Sequence, residues 1–323
     1  METDLRSPKK LLVSAVLLLL GLVPMYSSVF DSPYYMTLFA RIMVFAIAAL
    51  SLSLILSFGG MVSFGHALYL GVGAYAVGIS AFHGVTSGWM HVAAAIVASG
   101  VIALLTGIIC LRTTGIAFIM ITLAFAQMFF FLAISLKYYG GDDGLSIAKR
   151  SDFSPLADLD NNTVFYYFVF ALLLAFFYFS SRLIQSHFGM VLRGCKSNER
   201  RMIALGFPTL RYKLFAYVLS SVMCAIAGVL LANLTRFASP EYMSWVRSGD
   251  LILMIVVGGM NTLFGPVVGA ITLLILEEVL SSWTDHWMAI LGPLIIIMVI
   301  TAKQGLYGAV VQWEARRASR TRT

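Results

Sequence analysis

Apolar residues run along this chain in ten long blocks, separated by short polar breaks. They do not alternate as in a half-buried strand, nor do they recur as one stripe of a surface helix. The blocks cover about 11–30, 38–56, 61–82, 90–111, 115–136, 163–181, 213–235, 250–262, 264–282 and 286–302. They approach or reach the ~20 residues that a helix needs to cross a bilayer. Lipid offers the backbone no hydrogen-bond partner, so such blocks must be helices or lie buried among helices. The pattern predicts an all-α polytopic membrane protein of about ten spans, built as a single domain over residues 1–323.

Composition agrees. The chain has 323 residues, 60% of them hydrophobic and 11% charged, against about 25% charged in a soluble domain. A soluble protein this apolar would expose adhesive surface that it could not hide. The first block follows Arg6, Lys9 and Lys10, as a secretory leader would. No convincing small-residue cleavage site follows it, so it reads as a retained first span.

Charge then sets the topology, because short basic loops stay on the cytoplasmic side. The stretch 137–162 sets Lys137, Lys149 and Arg150 against Asp142, Asp143, Asp152, Asp158 and Asp160, which suits the outside. The stretch 182–213 sets Arg182, Arg193, Lys196, Arg200, Arg201, Arg211 and Lys213 against Glu199 alone, which places it inside. The tail carries Lys303, Arg316, Arg317, Arg320 and Arg322 against Glu314. Ten spans with both termini cytoplasmic satisfy all of these, and Trp283 and Trp287 then fall at an outer interface. The net charge of +7 reads as cytoplasmic loops, not as a nucleic-acid footprint.

The basic loop of about 183–212 contains punctuation for a short helix. Ser197 or Asn198 can cap its start, and Glu199 sits in the first turn, where the helix dipole favours an acid. Gly206 marks its end and Pro208 stops any continuation. A capped helix on the cytoplasmic face is a docking element. The competing reading is a solvated loop that only sets topology.

Reactive chemistry is missing. There is no G-x-x-x-x-G-K-[ST] segment to hold ATP phosphates. Cys110, Cys195 and Cys224 form no redox or metal motif, and the five histidines show no zinc spacing. The span centres are almost free of ionisable groups, unlike those of pumps and ion-coupled carriers. Arg41, Glu277 and Glu278 fall near the outer ends of their spans.

Glycine marks the interior instead. Gly59-Gly-Met-Val-Ser-Phe-Gly-His66 joins the second and third blocks, and Gly258-Gly-Met-Asn-Thr-Leu-Phe-Gly265 joins the eighth and ninth. Both contain Gly-Gly-Met and then a Phe-Gly pair, as an internal repeat with one residue inserted. Glycine lets helices approach closely and lets the backbone break beside a cavity at membrane depth. Ser63, Gly65, His66, Gly259 and Asn261 are therefore candidate pathway residues. Tight helix packing is the competing reading for each glycine, and a hydrogen-bonded packing role is the competing reading for His66.

These residues carry a resemblance. Ser63-Phe-Gly-His-Ala67 with Gly71-Val-Gly-Ala-Tyr75, Phe118-Ile-Met-Ile-Thr-Leu-Ala-Phe-Ala-Gln127, Gly140-Gly-Asp-Asp-Gly-Leu145 and Ser239-Pro-Glu241 resemble the permeases of ABC importers for branched-chain amino acids. The resemblance is specifically to the M-type, LivM-like permease. The resemblance spans about Arg41 to Gly308. Departures include Asn261, where the family usually has glycine, and Gly194-Cys195 and Arg201.

The resemblance implies a homologous second permease and two cytoplasmic ATPase subunits that bind ATP and Mg. It also implies a periplasmic or extracellular substrate-binding protein, and a bacterial or archaeal cell membrane, the inner one if Gram-negative. This chain would itself be neither an enzyme nor a cofactor binder. Ser197, Asn198, Glu199, Arg200, Met202, Leu205 and Gly206 would couple to the ATPase, with Met202, Ile203 and Leu205 as anchors and Glu199 and Arg200 at the rim. Thr122, Phe125 and Gln127 join the candidate pathway. Urea, short amides or other small organic solutes remain open as substrates, and a stand-alone ion-coupled transporter remains the rival of another class.

Overall fold

A computed structural model describes residues 8–29, 33–154, 159–301 and 305–308. The basic ends used in the charge argument, residues 1–7 and 309–323, and Lys303 lie outside the described residues. Ten of the eleven described α-helices fall on the ten apolar blocks. These are α1 (Pro8–Val29), α2 (Pro33–Ser53), α3 (Ala67–Phe82), α4 (Gly88–Cys110), α5 (Ile116–Ser135), α6 (Asn162–Gln185), α8 (Thr209–Thr235), α9 (Trp245–Gly258), α10 (Gly265–Trp283) and α11 (Trp287–Thr301). The eleventh, α7 (His187–Ala204), lies in the basic stretch.

Six of these helices are long and apolar enough to cross a membrane: α2 with its continuation to Phe58, α4, α5, α6, α8 and α10. α3 and α9 are shorter, with 16 and 14 residues, and each adjoins one of the glycine segments.

The interior is built on close helix contacts. α3 packs mainly on α8, which also meets α4 and α2, while α10 joins α9 and α2. A side chain at Gly73 would collide with the carbonyl of Ala225, and one at Gly228 with that of Leu70. α3 and α8 therefore touch backbone to backbone from both sides, as small residues allow between membrane helices. A hydroxyl chain crosses the same seam. Tyr69 Oη lies 3.0 Å from Thr106 Oγ1 of α4 and donates to Tyr217 Oη of α8 at 3.0 Å.

The described part of the acidic stretch between α5 and α6 is structured; residues 155–158, with Asp158, lie outside the described residues. Two short 3₁₀ turns, Lys137–Tyr139 and Gly141–Asp143, lead into strand β1 (Leu145–Ser146). This strand pairs antiparallel with β2 (Phe237–Ala238), just after α8. Arg150 pins the following segment. Its Nε donates to Asn233 O at 3.1 Å, its Nη1 to Leu159 O at 2.9 Å, and its guanidinium lies 4.7 Å from the Phe165 ring centre. Burial lowers the pKa of Arg150 from its usual value.

Candidate functional site

The two glycine segments share a local logic. Each follows a helix running towards the α7 end of the molecule, and in each the second glycine of the pair has a positive φ, +69° at Gly60 and +128° at Gly259. Side chains rarely adopt that conformation, so the paired glycines stop both helices where a larger residue would be strained. α2 loosens before its stop, ending as a π-turn over Leu54–Phe58. π-turns inside helices are frequent at functional sites.

Non-helical backbone leaves amide groups that the apolar interior cannot satisfy. Side chains from distant helices take them up. Phe64 N donates to Thr122 Oγ1 of α5 at 3.2 Å, and Ala67 N donates to Ser248 Oγ of α9 at 3.1 Å. Gly65 N reaches Ser63 Oγ at 3.3 Å, and Gly65 sits so close to the Thr122 carbonyl that a side chain there would clash. His66 is fully buried. Its Nε2 lies 3.1 Å from Ser51 Oγ and 3.3 Å from Ser220 Oγ, while its Nδ1 has no partner.

Thus Ser63, Gly65, His66 and Thr122 come together in one packed cluster. Phe125 packs against the core from partial burial. Gln127 stands apart, with its buried Nε2 unpaired. Gly259 and Asn261 belong to the other break and do not meet this cluster.

Asn261 has a φ of +65°. Asparagine tolerates the left-handed region better than most residues, so it can stand at this position, where a larger side chain would be strained. Its side chain adds what glycine cannot. Asn261 Oδ1 accepts from Lys196 Nζ at 2.7 Å, and the same ammonium donates to Ser57 O at 2.7 Å, in the π-turn of α2. Lys196 lies on α7, so one side chain of the basic stretch holds both glycine breaks.

α7 departs from the short helix read in the sequence. It begins at His187, ten residues before Ser197, and kinks at Asn198, whose backbone is extended (φ −158°, ψ 99°). Asn198 is the cap of the second half, its Oδ1 accepting from Arg201 N at 3.0 Å. The first half forms because Phe188 has a surface to pack on, stacking on Tyr212 at 5.7 Å and meeting Phe215 edge-on at 5.4 Å.

The predicted rim and anchor residues divide. Glu199 turns inward and pairs with Lys213 at 2.7 Å. Met202 folds back closely on Gly194, so a β-carbon there would push its flexible thioether aside. Ile203 and Leu205 stay 57% and 66% exposed, and Phe207 and Leu210 beside them are also uncovered. Cys195 is buried, which raises its thiol pKa. A cavity of about 200 Å³ lies between α7 and the first break, lined by Gly59, Gly60, Phe118, Lys196, Glu199 and Lys213.

At the opposite end is a charged group that sequence reasoning missed. Arg247 Nη2 meets Glu241 Oε1 at 2.9 Å, and its Nη1 meets Asp250 Oδ2 at 3.5 Å. Arg41 Nη2 meets Glu277 Oε1 at 3.6 Å. The signal was the pair of charges three residues apart in Trp245-Val-Arg-Ser-Gly-Asp250, of which 245–249 were read as connection and Asp250 as the start of the eighth block, although all lie in the first turns of α9.

Long apolar helices, half-length helices beside unwound backbone and an interior lined by hydroxyls define a multi-pass helical membrane protein. The family model for the "branched-chain amino acid transport system / permease component" matches residues 34–299, and the chain belongs to this family. It is 26% identical to LivM, a high-affinity branched-chain amino acid transport system permease protein of Escherichia coli K12, over 287 residues. It is 24% identical to LivM of Salmonella typhimurium LT2 over the same length. Each of these alignments covers 82% of this chain and 68% of the relative. LivH of Escherichia coli K12 is 22% identical over 284 residues, covering 82% of this chain and 91% of LivH. No solved structure gives a significant match. The LivM-like resemblance read from the motifs is borne out.

Proposed function

We propose that this chain is one permease subunit of an ATP-driven, binding-protein-dependent importer of branched-chain or other hydrophobic amino acids. It works in the inner membrane of a Gram-negative cell, or in the single cell membrane of other prokaryotes. The names of the relatives support the substrate. The family resemblance implies two separate cytoplasmic ATPase subunits that bind ATP and Mg, and the lack of a phosphate-binding motif in this chain fits that division of labour. A homologous second permease completes the pathway, and an extracytoplasmic binding protein delivers the amino acid. Ten crossings with both termini cytoplasmic place α7 inside and the β1–β2 pair outside.

The observation that carries the reading is Lys196. It belongs to the segment proposed to seat on an ATPase subunit, and its ammonium bonds Ser57 O, two residues before the first glycine pair, and the side chain of Asn261 in the second break. A displacement of α7 by ATPase closure would therefore reach both breaks at once. Ile203 and Leu205, exposed at the tip, are the anchors in the ATPase groove, with Phe207 beside them. Ser197, Asn198, Arg200 and Gly206 shape that tip, while Glu199 braces α7 against α8. Ser63, Gly65, His66 and Thr122 form the buried pivot next to the pathway, and Gly259 and Asn261 the second pivot.

The test is uptake of labelled leucine by proteoliposomes that hold this chain with its cognate permease, ATPase and binding protein. Uptake should require ATP inside and binding protein outside. Uptake that continues without the ATPase and follows an ion gradient would overturn the importer reading. Uptake inhibited by urea or short amides and not by leucine, isoleucine or valine would overturn the substrate.

A further inference from the structure

The charges around Arg247 line a cavity of about 270 Å³ between α2, α9, α10 and α11. Its polar wall holds Glu241, Arg247, Asp250 and Glu277. The facing wall is aliphatic and soft, with Met254, Leu274, Leu291 and Ile295. The volume lies just under the range of about 300–1,000 Å³ that suits drug-sized molecules, so it suits a smaller metabolite. We infer that this cavity is a binding site for a small zwitterion, a primary ammonium and a carboxylate on a branched apolar body. The site belongs to the permease itself and is separate from the glycine breaks. The inference rests on the amino-acid reading above and gives that reading a place in the chain.

The head group is matched from both sides. Three carboxylates line the cavity against one guanidinium; counting Arg41 beside Glu277 still leaves one negative charge in surplus. Ionisable groups among membrane helices are costly unless paired, and usually mark a function. Two of the three carboxylates are also loosely held, while Glu241 sits at 2.9 Å from Arg247. Asp250 meets Arg247 at 3.5 Å and Glu277 meets Arg41 at 3.6 Å, long beside the about 2.7–2.9 Å of a charge-assisted bond. An ammonium brings three donors and no acceptor, so it could close on Asp250 and Glu277. Arg247 has five donors and its two ion pairs engage only some of them, which leaves donors for the ligand carboxylate. The branched side chain would then lie on Met254, Leu274 and Ile295.

An aminophospholipid carries the same ammonium, so the test separates the two sources. The full chain is reconstituted in nanodiscs of phosphatidylglycerol alone and titrated calorimetrically with leucine, 3-methylbutylamine and 4-methylpentanoate. Leucine and the amine should bind, and the acid without an ammonium should bind at least ten-fold more weakly. Asp250→Asn and Glu277→Gln should each weaken leucine binding about ten-fold, and Leu274→Trp should abolish it by filling the cavity.

Equal binding of all three compounds overturns the site, as does wild-type leucine affinity in both carboxylate variants. Absence of leucine binding to the wild-type chain, or leucine binding only when phosphatidylethanolamine is present, also overturns it. These results are distinct from failure of the importer reading. Normal ATP-driven leucine uptake in Asp250→Asn would remove the site and leave the importer. No amino acid uptake by the wild-type assembly would remove the importer, while ammonium-dependent binding would keep the site.

Discussion

Lys196 Nζ and Asn261 Oδ1 stand 2.7 Å apart, although 65 residues separate them and they belong to different structural units. One is on the kinked helix of the basic stretch, the other in the break between α9 and α10. Because the same ammonium also holds Ser57 O, the pair ties three segments at a point where two helices have stopped.

Two substitutions at 261 separate the conformation from the bond. Asn261→Gly keeps the left-handed backbone and loses the acceptor. It should lower the melting temperature less than Asn261→Val does, while lowering ATP-driven uptake about three- to ten-fold, in line with the loss of one charge-assisted hydrogen bond in a partly exposed place. Asn261→Val adds backbone strain of roughly 1–2 kcal/mol and should also lower the melting temperature in detergent. Equal uptake in Asn261→Gly and wild type would show that the bond transmits nothing.

The contact of α3 with α8 gives a stability prediction. Gly73→Leu and Gly228→Leu each force a side chain into the opposing backbone, and overpacking typically costs about 1–3 kcal/mol or more. Both variants should lose monodispersity on size-exclusion chromatography. Gly21→Leu, at a position with open space around it, should behave as wild type.

Topology can be read with cysteines at Ser154 and Ser197, both exposed. The native Cys110, Cys195 and Cys224 are all buried, and burial holds the Cys195 thiol in its protonated, unreactive form, so background labelling should be low. An impermeant maleimide should modify position 154 in intact cells and position 197 only after permeabilisation. The reverse result would invert the orientation.

The exposed apolar tip gives the last prediction. Ile203→Ala and Leu205→Ala each remove an anchor of the kind that commonly costs about 1–3 kcal/mol on truncation. Affinity of the permease for its ATPase should fall by about ten-fold or more, measured by pull-down at graded concentrations. Glu199→Gln breaks an internal ion pair instead, so it should loosen α7 and leave that affinity nearly unchanged. A larger loss of ATPase affinity from Glu199→Gln than from Leu205→Ala would reverse the two assignments.

Much of this architecture was legible because lipid makes apolar length a strong signal. Every one of the ten blocks contains a helix. The boundaries at 60 and 259 were less clear, since they depend on positive φ at single glycines within otherwise apolar runs. α7 was read at half its extent: its first half is held by Phe188 against Tyr212 and Phe215, a tertiary contact masked by the density of basic residues. Arg247 and Asp250 were passed over because the apolar block was taken to begin at 250, whereas α9 starts at Trp245. The β1–β2 pair has two residues on each side, too few for any alternation to show.

The unwound segment before α3 bears on how the protein is made. Its amides at Phe64 and Ala67 are answered by Thr122 and Ser248, residues synthesised 58 and 181 positions later. While the ribosome is still extending the chain, this segment has no lasting partner in hydrocarbon. The first three helices therefore cannot be released into lipid as a finished unit. A chain cut short before α9 would leave the Ala67 amide without its Ser248 acceptor, and should be cleared by membrane proteases faster than the full chain.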